Sequence, residues 1–461
     1  MTAAPAPAPA PDELAGRIDA LMGRARSDLA ELVAVPSVFD AEQQPPEKCR
    51  QAAAWVRDAF ADAGLDDVRL VGTPDGSHAV LGERPGPPGA PTVLLYCHYD
   101  VQPAGDESAW HTPPWTLTER DGRWYGRGAA DCKGNIAMHL TALRALDGDI
   151  PVGLRFVAEG SEEQGGGGLE QYVAAHPEEF AADAILVCDT GNAAVGVPAL
   201  TTSLRGVAEV RVTVDTLAGN VHSGMFGGPA PDALAALIRM LDSLRDEHGA
   251  TRIDGLPGDG RWTGAEYDEA RFRADAGVLD GVGLVPGGSV ADQLWARPAV
   301  TVLGIDCPPV VGSAAAVPAH ARARVGLRVP PGTDARDATA ALAAHLTAAA
   351  PWNARVTVER GEPGQPFAAR TDGPAYTALG AAMRAAYGRD ATREGQGGSI
   401  PLCTVFASVA PEAEIALMGV EEPLCAIHAP DESVDPTEIR NMALVEALFL
   451  RTYPDAVAAA R

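Results

Sequence analysis

Apolar residues at Leu14, Ile18, Leu21, Met22, Leu29, Leu32 and Val33 recur every three or four positions. This spacing predicts an amphipathic helix over about residues 12–35, with Asp12 able to cap its first turn. Pro45 and Pro46 open a second such stretch, which carries Ala53, Val56, Ala59 and Phe60 and ends near Gly64. The pattern then changes to three short continuous apolar runs, at 93–97, 154–158 and 184–188, each suited to a buried strand. Stretches 134–146 and 167–175 between them read as helices. Strand and helix therefore alternate, which predicts an α/β domain with a mixed, largely parallel sheet flanked by helices.

Near Arg205 the texture changes again. Residues 207–214 alternate apolar and polar, a helix follows over about 232–246, and 321–329 alternate before a helix at 335–349 and a strand at 354–358. This predicts a smaller α+β domain inserted over 205–367, between the two parts of the larger domain at 12–204 and 368–461. The helix at 374–387 and the apolar runs at 402–406 and 414–420 are expected to return to the first sheet. Residues 1–11 alternate Pro and Ala, which predicts a mobile, extended tail.

Composition narrows the functional classes. The net charge of −26, from 36 basic and 62 acidic residues, offers no basic stripe for nucleic acid or anionic lipid. Seven scattered cysteines without a CxxC pair do not make a disulfide framework. The N-terminus lacks the basic start and apolar core of a secretion signal, and no stretch approaches the roughly 20 apolar residues that span a bilayer. The expected location is the cytoplasm, with no membrane partner.

The candidate chemistry follows the apolar runs. His98 ends the first, Glu162 and Glu163 follow the second after a Gly-Ser turn, and Asp189 ends the third. In open α/β sheets the site lies beyond the carboxyl ends of the strands, so three strands deliver metal-ligand residue types to one edge. Asp100, two residues after His98, can hold the second imidazole nitrogen, although such a pair is also common on surfaces. Asp131, in the glycine-rich turn GRGAADCKG, either caps the following helix or bridges two metal ions. Of the adjacent Glu162 and Glu163, only one can readily face a given metal, which leaves the other as a proton carrier; solvated glutamates are the alternative. His428, before Ala-Pro, is either a loop residue or a late ligand. The third glycine of a dinucleotide fingerprint is missing, no P-loop Lys-Ser or Lys-Thr follows the glycine run at 165–168, and GxSxG and HExxH are absent.

Taken in order, HYDVQP, GRGAADCKG, EGSEEQGG, CDTGN, NVHSGMFGG, GGSIP and AIHAPDE resemble the carnosinase-like dipeptidases of the aminoacylase and glutamate carboxypeptidase superfamily of di-zinc metallopeptidases. The resemblance implies a zinc-peptidase catalytic domain carrying a ferredoxin-like dimerisation and lid domain. It implies two Zn²⁺ per subunit, with Mn²⁺ or Co²⁺ as alternatives, one held by His98, Asp131 and Asp189 and the other by Asp131, Glu163 and His428. A cis peptide at Asp131-Cys132 is implied as well. Asp100 is then the partner of His98, and Glu162 the general base toward a metal-bridging water. His222 reaches the partner's site in a homodimer, or in the alternative reading is a buried or capping histidine. Arg328, Ser399 and Gly398, with Arg393 a further candidate, hold the terminal carboxylate of a dipeptide substrate; Arg328 is otherwise an ordinary strand charge. Hydrolysis of N-acyl or N-carbamoyl amino acids on the same scaffold is the alternative activity.

Overall fold

The computed structural model describes residues 11–165 and 167–461. The expected Pro/Ala tail lies outside the described residues except for Pro11, which instead opens the first helix, Pro11–Val33. Proline suits a first helical position, where its missing N–H would have no intrahelical partner.

The chain divides into two compact units. The first runs to Thr202 and resumes over Ala369–Glu394 and Leu402–Arg461; the second comprises Ser203–Ala368 together with Gly395–Pro401. That short second segment carries Gly398 and Ser399, in a stretch that the sequence pattern assigned to the return of the larger domain.

In the first unit the sheet has a parallel centre with antiparallel flanks. Gly153–Glu159, Thr92–His98, Ala184–Cys188 and Glu414–Met418 lie side by side in parallel. His78–Arg84 and then Asp66–Gly72 extend one side in antiparallel pairing, and Ala199–Leu204 pairs antiparallel on the other. The four central strands are apolar on both faces because helices cover both, so almost every residue in them is buried. Register aligns their carboxyl ends, with His98 opposite Glu159 and Met418 opposite Cys188.

The 402–406 run is not a strand. Pro401–Val409 is a helix whose Leu402, Cys403 and Phe406 bury one face, and Pro401 supplies its first residue. A short apolar run reads equally well as strand or buried helix, and here the three- and four-residue spacing decided the outcome. Helix Lys133–Leu146 is buried nearly all round, beneath Pro11–Val33 and Pro436–Ala460.

The second unit builds an antiparallel sheet in the order Ala299–Asp306, His320–Val329, Gly206–Asp215, Arg355–Arg360. Helices Ala233–Asp242 and Ala335–Ala348 join its core, giving the chain order strand, helix, strand, strand, helix, strand. Val210, Val212, Val214, Ala323, Val325 and Leu327 face that core, and the polar residues between them face away.

Phe156 illustrates what holds the first unit together. Its ring stacks on Phe60 at 3.7 Å between centroids, and both are buried within one continuous core. Phe156→Ala is expected to lower stability by about 3–5 kcal/mol through lost burial and a residual cavity, read by chemical denaturation. A loss below about 1 kcal/mol would contradict this packing account.

Candidate metal centre

The aligned strand ends bring four of the predicted ligands around Asp131. His98 Nε2 lies 2.9 Å from Asp131 Oδ1 and 3.0 Å from Asp189 Oδ1. His428 Nε2 lies 3.0 Å from the other oxygen, Asp131 Oδ2, and 3.1 Å from Glu163 Oε2. One carboxylate thus faces two imidazoles, one on each oxygen. The helix after it begins at Lys133 with Cys132 as its cap and no capping side chain, so Asp131 is not a helix cap. The Asp131–Cys132 peptide bond is cis.

His98 is oriented from behind. Its Nδ1 donates to the Asp100 carbonyl at 3.1 Å, which leaves the Nε2 lone pair facing Asp131 and Asp189. The sequence pattern assigned this task to the Asp100 carboxylate, which stands farther off at 3.4 Å. That carboxylate accepts instead from the backbone N–H groups of Glu162 and Glu163, at 3.2 and 3.1 Å. Asp100 therefore ties the His98 strand end to the turn carrying both glutamates. Of that pair, Glu163 joins the cluster and is steadied by Gln102, whose backbone N–H and Nε2 donate to its carboxylate at 3.2 and 3.0 Å. Glu162 is left outside the ligand contacts, with Asp189 its strongest charged neighbour.

The electrostatics follow from crowding acids in a buried place. Burial, followed by the Asp189 charge, pushes the Glu162 carboxyl well above its ordinary value. Burial raises Asp189 to about 6, with His98 opposing. Burial would also raise Asp131, but hydrogen bonds from His428 and His98 outweigh it and hold that carboxyl low. Hydrogen bonding to Asp131 and then Glu163 lifts His428 to about 10. Burial would depress His98, yet the fields of Cys132 and Asp189 and its contacts with Asp100 and Asp131 raise it. Imidazole nitrogens and carboxylate oxygens around a shared Asp131 are a donor set that suits two divalent cations.

Three supporting groups were not singled out from the sequence. Glu432 accepts from the backbone N–H groups of Gly128, Ala130 and Asp131 at 3.0, 3.1 and 3.1 Å, and pairs with Arg127 at 2.7 Å. It straps the Asp131 turn to the segment bearing His428. Lys133 donates to the carbonyls of Leu32 and Val35 at 3.0 and 2.8 Å, and burial lowers its ammonium to about 7. Glu421, buried after Glu414–Met418, forms a group with Asp131 and Asp189 whose ligand atoms all lie within 4.8 Å of one another. The available signal was a second pair of adjacent acids, Glu421 and Glu422, just beyond a strand end, the same signature that marked Glu162 and Glu163.

The remaining candidates lie elsewhere. His222, in the second unit, is exposed, and its Nδ1 accepts from the Gly224 N–H at 3.1 Å, so it caps the short turn Ser223–Phe226. Arg328 stands on the outward face of His320–Val329. Among the described residues the buried Ser399 hydroxyl has no hydrogen-bond partner, nor do Nε and Nη1 of Arg205, a residue that burial and the neighbouring Arg328 charge lower to about 10. Arg393 belongs to the first unit and donates to the Thr371 hydroxyl at 3.1 Å, whereas Gly398 and Ser399 belong to the second.

The family model described as "Peptidase family M20/M25/M40" matches residues 94–452. A "Cysteinylglycine-S-conjugate dipeptidase" of Corynebacterium striatum is 48% identical over 411 residues, spanning 87% of this chain and 90% of that protein. A "Beta-Ala-His dipeptidase" of Rattus norvegicus is 28% identical over 443 residues, spanning 88% and 89%. The crystal structure of human carnosine dipeptidase 1 superposes with a TM-score of 0.78 at 25% identity, covering 97% of this chain and all of that one.

The raised histidine sets a pH dependence for the metal-free protein. The folded value of His428, about 10, exceeds the ordinary 6.5, so its stabilising contribution is complete below about pH 6.5 and is lost as pH rises through about 10. Chelator-treated protein is expected to lose melting temperature over that interval, and His428→Gln to flatten the loss. An equally steep fall in the variant would place its origin elsewhere.

Proposed function

The chain belongs to peptidase family M20/M25/M40 and is a metallopeptidase, and from that premise we propose that it hydrolyses dipeptides with Glu162 as its general base. The observation that carries this reading is the pairing of His98 and His428 on opposite oxygens of Asp131. Two divalent cations, when bound, supply Lewis acidity to a water and to the scissile carbonyl. His98, Asp131 and Asp189 would hold one, and Asp131, Glu163 and His428 the other, with Zn²⁺ suited to both and Mn²⁺ or Co²⁺ as alternatives.

Glu162 holds and moves the proton. Its carboxylate takes one from the attacking water and returns it to the leaving amine, and the burial that raises its affinity for protons suits it to both steps. Asp100 keeps this residue in register with His98 through the backbone N–H groups of Glu162 and Glu163. The names of the relatives, a cysteinylglycine-S-conjugate dipeptidase and a Beta-Ala-His dipeptidase, support a dipeptide substrate.

In the second unit, Arg328, Arg205, Ser399 and Gly398 are our candidates for holding the terminal carboxylate. Arg205 and Ser399 support this because both present buried polar atoms without a partner, an arrangement an anion would satisfy. The strand and helix order of this unit supports a ferredoxin-like domain. We assign that domain to pairing two copies of the chain, with His222 acting on the partner's substrate.

The test is amine release from dipeptides, tripeptides and N-acyl amino acids, using zinc- or manganese-loaded protein. Dipeptide cleavage is expected, and Glu162→Ala should lower it about 10²- to 10⁴-fold while both metals stay bound. Cleavage of N-acyl substrates alone would overturn the dipeptidase reading, and full activity in the variant would overturn the role of Glu162. Arg205→Lys, which keeps the charge but loses the planar fork, is expected to raise KM for dipeptides with little change in kcat. An unchanged KM would remove Arg205 from the carboxylate site.

A further inference from the structure

Glu421 is not one of the five residues read as ligands, yet its carboxylate shares a tight group with those of Asp131 and Asp189. Only 6% of the residue is exposed, and Oε1 has no hydrogen-bond partner among the described residues. Glu421 is buried, and the acids Asp131, Asp189 and Glu432 surround it, with His98 opposing them. Leaving a buried carboxylate oxygen unpaired among acids costs free energy that a cation would recover.

Its position is enforced by the backbone. Glu414–Met418 runs parallel to Ala184–Cys188, so Glu421 leaves its strand beside Asp189. The Asn192 N–H donates to the Glu421 carbonyl at 2.7 Å. A Cβ on Gly191 would stand 2.2 Å from that carbonyl oxygen and 2.6 Å from the Glu421 Cβ, so only glycine permits this approach.

We propose that Glu421 is a further carboxylate of the cation position formed by His98, Asp131 and Asp189, and that it biases this position toward harder, oxygen-preferring ions such as Mn²⁺. The inference rests on the reading of those three residues as ligands. A third carboxylate adds negative charge and oxygen donors without adding nitrogen, which favours Mn²⁺ relative to Zn²⁺.

The experiment strips the full chain with a chelator and measures stoichiometry and affinity for Mn²⁺ and for Zn²⁺ by competition with a chromophoric chelator, alongside thermal unfolding. It compares wild type, Glu421→Gln and Glu422→Gln; Glu422 is the neighbouring acid, paired with Arg123. Glu421→Gln is expected to weaken Mn²⁺ binding at one site about tenfold or more, and Zn²⁺ binding by less. The gain in melting temperature of Glu421→Gln on adding Mn²⁺ should be smaller than that of wild type. Glu422→Gln should leave both affinities unchanged.

Wild-type binding of two cations with unaltered affinities in Glu421→Gln would overturn this inference and leave the ligand reading intact. An equal loss of Mn²⁺ affinity in Glu422→Gln would overturn it in favour of a general loop effect. A metal-free Glu421→Gln that melts lower, with cation binding unchanged, would make Glu421 a packing residue. Absence of cation binding in wild type would overturn the ligand reading and this inference together.

Discussion

The first unit is organised around the repulsion of buried carboxylates. Asp131, Asp189, Glu163 and Glu421 come together where water cannot screen them, and two imidazoles are the counter-charges at hand. Asp131 carries the arrangement because each of its oxygens meets a different imidazole. A neutral residue there would leave His98 and His428 without a common partner, and a longer acid would alter both distances at once.

Holding such a cluster together demands a stiff frame, and the fold supplies it mainly through backbone hydrogen bonds. Glu432 gathers three N–H groups of the turn leading into Asp131, and Asp100 gathers those of Glu162 and Glu163. Lys133 closes the frame on the other side by capping the carbonyls of Leu32 and Val35, where the first helix ends. Each of these groups is buried and polar, so removing one leaves its backbone partners unsatisfied, which costs more than the hydrogen bonds contribute. This links stability to site geometry, because the same contacts serve both.

The second unit places its chemistry differently. Its sheet alternates apolar and polar residues, and Arg328 stands among charged neighbours on the outward face. Arg205 and Ser399 are instead buried with polar atoms unsatisfied, and an anion is the simplest group to satisfy them. The contrast between an acid-rich first unit and these donors is the physical basis for dividing the proposed work between cation binding and carboxylate recognition.

What the sequence determined by itself was whatever depends on local periodicity and strand ends. The runs at 93–97, 154–158 and 184–188 are apolar throughout because both faces are covered, and the residues that follow them are chemically conspicuous for that reason. Helices such as Lys133–Leu146 and Pro374–Tyr387 were legible within a residue or two from their spacing. The 402–406 run was ambiguous because a short buried helix and a short buried strand share one apolar signature. The motif resemblance already assigned Glu163 to His428 and left Glu162 as the base, whereas the residue pattern alone left the two glutamates interchangeable; the turn that carries them brings Glu163 to His428. Only the tertiary structure decided that the Asp100 carbonyl, and not its carboxylate, orients His98. Glu421 and Glu432 lie hundreds of residues from His98 and Asp131 along the chain, and register between strands distant in sequence is what makes them neighbours.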